Sequence, residues 1–465
     1  MKKFVDRINE MNALQEAYDS LDSSFVVIYG RRRVGKTELI SEFLRKHDNG
    51  LYFLATEESE QQNKKSFKSM AADFTGNELL NSADVEWSSI FEQIVKFKPD
   101  EKKIIVIDEF QYISLSNAAF PSIIQKAWDT IMKDGNVMFI ICGSYISLMK
   151  SQTLDYGSPL YGRRTAQIKL KQIEFKHYNE FYNGKNNEEL IPFYAVTGGV
   201  PKYVEMFNSH NDIYKAIEKA ILNKQSFLYE EPYFLLQKEV SEIGSYFSLI
   251  KAIAVGNHKL SDISAEMGVK STNITKYLKV LMDLDLVERE VPITEANPEK
   301  SKRGLYKLTD NYIAFWFKFI YPYRSFLEKG ETEFVLNKIK SGFVPNYVSY
   351  IYEDVAREKM WELNMNNLWG FNFDKLGRYW GKETGEVDIV AIDSMEKNLL
   401  IGECKYTKSP KGLDVLHLLQ EKGEILKAIT KSDNVEYIIF STGGFTKGLL
   451  DEVAVNPRVK IIDNI

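Results

Sequence analysis

The sequence predicts an α/β protein: a parallel sheet flanked by helices, a mainly helical middle, and a second α/β domain towards the C-terminal end. Three observations carry this. Up to about Ile173, short continuous apolar runs alternate with helical patterns, as βαβ units require. From about Glu174 to Phe234 the pattern is mainly helical. Strand-sized runs then return from Val387 onward.

A length of 465 residues allows about three domains. Apolar residues make up 44%, charged residues 27% and aromatic residues 13%, a balance that builds packed cores and argues against disorder. Against 65 Asp+Glu stand 60 Lys+Arg, a formal net charge of −5. That excludes a chain that holds nucleic acid by bulk charge, while a local basic patch stays allowed. Cys142 and Cys404 support neither a disulfide framework nor a cysteine zinc site. The histidines (His47, His177, His210, His258, His417) show no metal-ligand spacing. No signal peptide is apparent, and no stretch reaches the ~18 apolar residues of a membrane span. The expectation is a cytoplasmic protein with no membrane partner.

The first strand run, Phe25–Tyr29, leads into Gly30-Arg31-Arg32-Arg33-Val34-Gly35-Lys36-Thr37, and an amphipathic helical pattern follows from Glu38. That is a phosphate-binding loop, G-x-x-x-x-G-K-[ST], between strand and helix. Its glycines let the backbone turn so that successive N–H groups face a phosphate, at the positive end of the next helix. Lys36 is expected at the β- and γ-phosphates of ATP, and the Thr37 hydroxyl on Mg²⁺. The runs Leu51–Leu54 and Ile104–Ile107 follow, the latter ending in Asp108-Glu109. Acids at the carboxyl end of such a strand lie where doubly wound folds bind ligands. Asp108 is expected to hold Mg²⁺ and Glu109 to polarise the attacking water. After Val137–Cys142, Ser144 is placed to bond a γ-phosphate or the lytic water. Arg163 and Arg164, before the run Ala166–Leu170, are candidate arginine fingers, within one chain or across a subunit boundary.

Together these elements resemble the archaeal-type AAA ATPases of the signalling-NTPase group. The matching residues are Phe4-Val5-Asp6-Arg7 with Glu10, GRRRVGKT, IIVIDEFQY, ICGS, LYGRR and TGGVP, Thr197 to Pro201. The resemblance implies that Arg7 and Pro201 lie near the nucleotide, Pro201 in a helical lid. The family's usual glycine before that arginine is Asp6 here.

Between about Leu235 and Arg324, a short helix (Asp262–Met267, capped by Ser261), a Gly268-Val269 turn and a longer helix (Ser271–Leu284) precede a hairpin, Val287–Val291 and Gly304–Leu308. This order fits a winged helix-turn-helix. Ile274, Leu278, Leu281 and Met282 form the apolar face of the longer helix. Thr272, Asn273, Lys276 and Lys279, with Lys300, Lys302 and Arg303 on the wing, are candidate DNA contacts.

In the last domain, Val387–Ile392 and Leu399–Lys405 read as a hairpin that brings Asp388 beside Glu403 and Lys405, with Cys404 on the opposite face. Glu353, on a helical run, can add another acid. Two carboxylates and a lysine could bind a second Mg²⁺ or Mn²⁺ and activate its water. The domain resembles the PD-(D/E)XK nuclease superfamily through Glu353, Gly385-Glu386-Val387-Asp388 and Glu403-Cys404-Lys405. Arg378-Tyr379-Trp380 is similar to the C-terminal domain often joined to this ATPase family.

The sequence therefore predicts four parts: a P-loop ATPase core at 1–173, a helical lid at 174–234, a winged helix-turn-helix at 235–326 and a restriction-endonuclease-like domain at 333–465. The expected function is an ATP-hydrolysing, Mg²⁺-dependent switch acting with DNA. The alternatives are an ATP-gated metal-dependent nuclease, or a silent DNA- or protein-binding regulator. Self-association and a protein partner stay open.

Overall fold

A computed structural model describes residues 4–182 and 184–465. Contacts group the chain into two compact units. The first takes the described chain through Ile173 together with Val200–Lys202 and Tyr233–Ser241; the second takes Glu174–Gly199, Tyr203–Pro232 and Glu242–Ile465. The helical middle therefore contributes segments to both units.

In the first unit, β1 (Ser24–Tyr29), β2 (Gly50–Leu54), β3 (Lys103–Asp108), β4 (Val137–Gly143) and β5 (Ala166–Lys169) form one sheet in the order β2-β3-β4-β1-β5. Every pairing is parallel. β1, β3 and β4 are buried along their whole length, which is why they read as unbroken apolar runs rather than alternating ones. Val26, Ile28, Ile104, Val106 and Ile140 pack against Leu39, Ile40 and Phe43 of helix Lys36–Leu44. β1 and β3 flank the central β4, so the loops leaving their carboxyl ends meet over the middle of the sheet.

In the second unit, β6 (Val287–Glu290) and β7 (Leu305–Leu308) form an antiparallel hairpin after helices Leu260–Met267 and Ser271–Asp283. Ile274, Leu278 and Leu281 are buried, whereas Met282 is only half-buried. The shorter helix begins at Leu260, and Lys259 is its cap without a side-chain bond. Ser261 is therefore inside the first turn rather than the cap, and its hydroxyl turns to Asp262 at 2.9 Å.

The last sheet runs β12-β11-β10-β9-β8, from β8 (Lys375–Gly381), β9 (Gly385–Asp393), β10 (Asn398–Lys405), β11 (Asn434–Ser441) and β12 (Val459–Ile462). The pairs β8/β9 and β9/β10 are antiparallel, while β10/β11 and β11/β12 are parallel. Val387, Val390, Leu399, Ile401 and Ile439 pack under helix Leu413–Thr430 through Leu416, Leu419 and Leu426. Among the described residues, no helix is long and apolar enough to cross a membrane.

Candidate functional site

The loop after β1 is shaped by its backbone. Gly35 (φ 99°) is the cap of helix Lys36–Leu44, and Arg33 takes a left-handed φ of 73°. At Gly30 a Cβ would stand 2.3 Å from the Leu170 carbonyl oxygen, so only glycine lets the loop leave the sheet there. The Lys36 ammonium is buried and donates to the loop's own carbonyls, Gly30 and Arg31, at 2.8 Å each. Burial pushes its pKa down, opposed in part by Glu109 and Asp108.

Asp108, fully buried at the end of β3, gathers oxygen donors. The Thr37 hydroxyl donates to its Oδ2 at 2.8 Å and the Tyr52 hydroxyl to the same atom at 2.7 Å. Hydroxyl and carboxylate oxygens this close fit a small hard divalent cation such as Mg²⁺. Burial, then Asp108, push the Tyr52 phenol well up, so it stays a donor.

Glu109 follows in a left-handed conformation, φ 55°, which turns its carboxylate out of the strand direction. Its Oε2 accepts from Ser144 at 2.7 Å and from the Gln111 amide. The same amide reaches the Ser144 hydroxyl at 3.3 Å. Ser144 therefore meets Glu109 directly. Arg32 donates to the hydroxyls of Tyr112 (2.9 Å) and Tyr145 (3.1 Å) and lies 5.0 Å above the Tyr145 ring.

Lys36, Thr37, Asp108, Glu109 and Ser144 thus come together at the carboxyl edge of one parallel sheet. Residues 4–207 match a family described as an ATPase domain predominantly from Archaea, and residues 316–420 match one described as archaeal and bacterial proteins of unknown function. A protein of Methanocaldococcus jannaschii is 36% identical over 434 residues, covering 93% of this chain and 94% of that one. The chain belongs to this family of archaeal ATPase-domain proteins. Among solved structures, the Walker-type ATPase of Pyrococcus abyssi matches with a TM-score of 0.54 at 19% identity, covering 68% of this chain and 96% of that one. The Aeropyrum pernix ORC2 protein matches with a TM-score of 0.47 at 14% identity, over 73% and 96% of the two chains.

The other expected residues of the ATPase domain have the following places. Arg7 donates to the Val34 carbonyl of the loop at 3.0 Å, the Lys171 carbonyl at 2.6 Å and Glu10 at 3.1 Å. Glu38 is exposed and pairs with Arg45 at 3.5 Å. Pro201 opens helix Pro201–Phe207 and groups with the first unit. Arg163 and Arg164 need a correction as fingers within one chain. They line a cavity of about 630 Å³ with Asp22, Ser23, Asp129 and Thr165. Ser23 and Thr165 precede β1 and β5, so this cavity is at the amino edge of the sheet, opposite the phosphate loop. Asp129 grips the Arg163 fork at 2.8–3.0 Å, and Arg164 rests 5.9 Å from the Tyr161 ring centre.

Sequence reasoning gave Gln111 and Tyr112 no role beyond the IIVIDEFQY motif and missed Tyr52, Tyr145 and the segment Tyr233–Ser241. Glu239 accepts from the Ile146 amide (3.3 Å) and the Ser147 hydroxyl (3.2 Å), just beyond Ser144, and burial raises its pKa. Lys238 pairs with Glu57 at 3.0 Å. For Tyr52, a polar hydroxyl one strand away from the acid pair was the only available signal.

In the second unit, Thr272, Asn273, Lys276 and Lys279 are all exposed on helix Ser271–Asp283, and Lys276 lies 4.5 Å over the Tyr277 ring. Lys300 and Lys302 are exposed too. Arg303 is not a free wing cation: it pairs with Glu295 at 3.1 Å and stacks 5.4 Å from the Tyr379 ring of β8. The hairpin is tied to β8 further by the Ile293 amide on the Arg378 carbonyl (3.0 Å) and by Glu290–Arg378 at 3.3 Å.

Asp388, Glu403 and Lys405 do converge, with Glu353 on helix Ser349–Met365 close enough to be perturbed by Asp388. Glu403 and Asp388 already have partners within the domain. Lys405 pairs with Glu403 Oε1 at 2.5 Å, and Lys422 approaches Oε2 at 3.5 Å while donating to the Glu386 carbonyl at 2.8 Å. Asp388 Oδ2 accepts from the Cys404 amide at 2.8 Å. Among the described residues, no three His, Cys, Asp or Glu side chains are grouped to hold a metal. Burial and the neighbouring carboxylates push the Glu353 and Asp388 carboxyls up.

Proposed function

We propose that this protein is an ATP-hydrolysing switch, its lid at 174–234, winged helix at 235–326 and nuclease-like domain at 333–465 responding to the nucleotide state, and that its macromolecular ligand is DNA. The observation that carries the ATPase reading is the chain Thr37–Asp108, Glu109–Ser144–Gln111 beside Lys36, all at one edge of the sheet. Lys36 exchanges the Gly30 and Arg31 carbonyls for the β- and γ-phosphate oxygens, while the loop amides meet the same group. Thr37 and Asp108 hold Mg²⁺, which supplies charge against the phosphate oxygens when bound. Glu109, held by Ser144 and Gln111, orients the attacking water and accepts its proton.

The DNA reading is supported by the exposed row Thr272, Asn273, Lys276 and Lys279. Short side chains that hydrogen-bond, with two cations on one helix face, suit phosphates and base edges. The expected test result is ATP turnover that duplex DNA stimulates, with stimulation and salt-dependent DNA binding both lost in Lys276→Ala/Lys279→Ala. Turnover and DNA binding that ignore this double substitution would remove the helix from the account.

A further inference from the structure

We propose that Arg32, inside the phosphate loop, is the transition-state arginine of this ATPase and acts within its own chain, from a resting place on Tyr112 and Tyr145. The inference rests on the reading of the loop as an ATP-hydrolysing site.

Phosphoryl transfer to water builds negative charge on the terminal phosphate oxygens and the bridging oxygen, and a guanidinium fork matches that charge. Arg163 and Arg164 are at the amino edge of the sheet, so neither supplies it within the chain. Arg32 is at the carboxyl edge. Its two partners place its fork in the catalytic corner: Tyr112 is three residues after Glu109, and Tyr145 is next to Ser144. The terminal phosphorus has to stand between the loop and the water held by Glu109, which is the corner these tyrosines frame. Burial works against the Arg32 charge, and the polar surroundings, Glu109 among them, more than offset it.

The resting contacts are exchangeable. Two neutral phenols hold the guanidinium, with no carboxylate bonded to it, and its Nε is buried with no hydrogen-bond partner among the described residues. Arg163 shows the opposite arrangement, a fork fixed on a carboxylate. Neutral partners compete weakly with a phosphate dianion, which makes charge-assisted bonds about twice as strong. In the reaction, water oxygen bonds to the γ-phosphorus as the bond from phosphorus to the bridging oxygen breaks. The water proton passes to Glu109, ADP leaves with the bridging oxygen, and Arg32 stays covalently unchanged.

The test uses the full chain: single-turnover hydrolysis of Mg·ATP, titration of Mg·ATP affinity, and thermal melting to show that each variant is folded. Arg32→Ala should lower the single-turnover rate about 10³-fold, with affinity changed only a few-fold, and Arg32→Lys should restore little because the fork is lost. Equimolar Arg32→Ala and Glu109→Gln chains should not restore hydrolysis, since the arginine and the base must share one chain. An unchanged rate, a loss explained by weaker ATP binding alone, or rescue on mixing would each overturn the proposal. Wild-type protein without Lys36-dependent hydrolysis would instead overturn the ATPase reading beneath it.

Discussion

Replacing Glu109 by Gln isolates the proton-accepting step from everything else at the site. The substitution keeps length, shape and an acceptor oxygen for Ser144, whose hydroxyl is 2.7 Å from the carboxylate. The left-handed backbone at φ 55° is equally open to both residues. The structural penalty is the charge-assisted share of two hydrogen bonds, about 1 kcal/mol, so melting should shift by only a few degrees. The chemical penalty is far larger, because an amide does not take the proton of the attacking water. Loss of a general base costs about 10²- to 10⁴-fold, or about 3–5 kcal/mol on the barrier. Mg·ATP affinity by calorimetry should stay near wild type, since Lys36, Thr37 and Asp108 are untouched. Phosphate release in a single turnover should nearly stop. Unchanged turnover would refute the role of Glu109, and lost ATP binding would show that its carboxylate supports the fold of the loop instead.

Two further outcomes follow from local geometry. Gly30→Ala puts a methyl 2.3 Å from the Leu170 carbonyl oxygen, so the strand-to-loop exit must shift. Melting should show a loss of about 1–3 kcal/mol together with weakened ATP binding; a wild-type melt would mean the exit is not tightly packed. In the second unit, burial first and Asp388 second push the Glu353 carboxyl up to about 8. A raised folded pKa means that the native state keeps a proton the unfolded chain releases, so stability falls as pH rises from about 4.5 towards 8. Glu353→Gln should therefore gain stability relative to wild type near pH 8, by about 2–3 kcal/mol after allowing for partial solvent access, and gain little at pH 5. An equal effect at both pH values would show that Glu353 is not held protonated.

The parallel sheet was legible because strands buried on both faces need unbroken apolar runs, as Ile104–Ile107 and Val137–Cys142 provide. The phosphate loop was legible because its function fixes glycines and a lysine at close spacing. β8 was not: Gly377, Gly381 and a half-buried pattern give no alternation to detect. The edge on which Arg163 falls was equally hidden, because sequence order does not say that the chain has already crossed back to the start of β5. Tyr112, Tyr145 and Glu239 are ordinary residue types that only tertiary packing brings to the site. Arg303 carried the right charge for a wing, but Glu295 and the Tyr379 ring of β8 take it up. At the C-terminal end, residue types named Asp388, Glu403 and Lys405, whereas the approach of Lys422 to Glu403, from a helix eighteen residues long, came only with the fold.

The most direct measurement is a calorimetric titration of Mg·ATP into wild-type protein and Lys36→Met. Saturable binding at one site per chain, weakened about 100-fold or more by removing a charge-assisted contact of some 3 kcal/mol, is the expected result. Equal affinity in the two proteins, or no binding by the wild type, would contradict the claim that this loop grips the nucleotide.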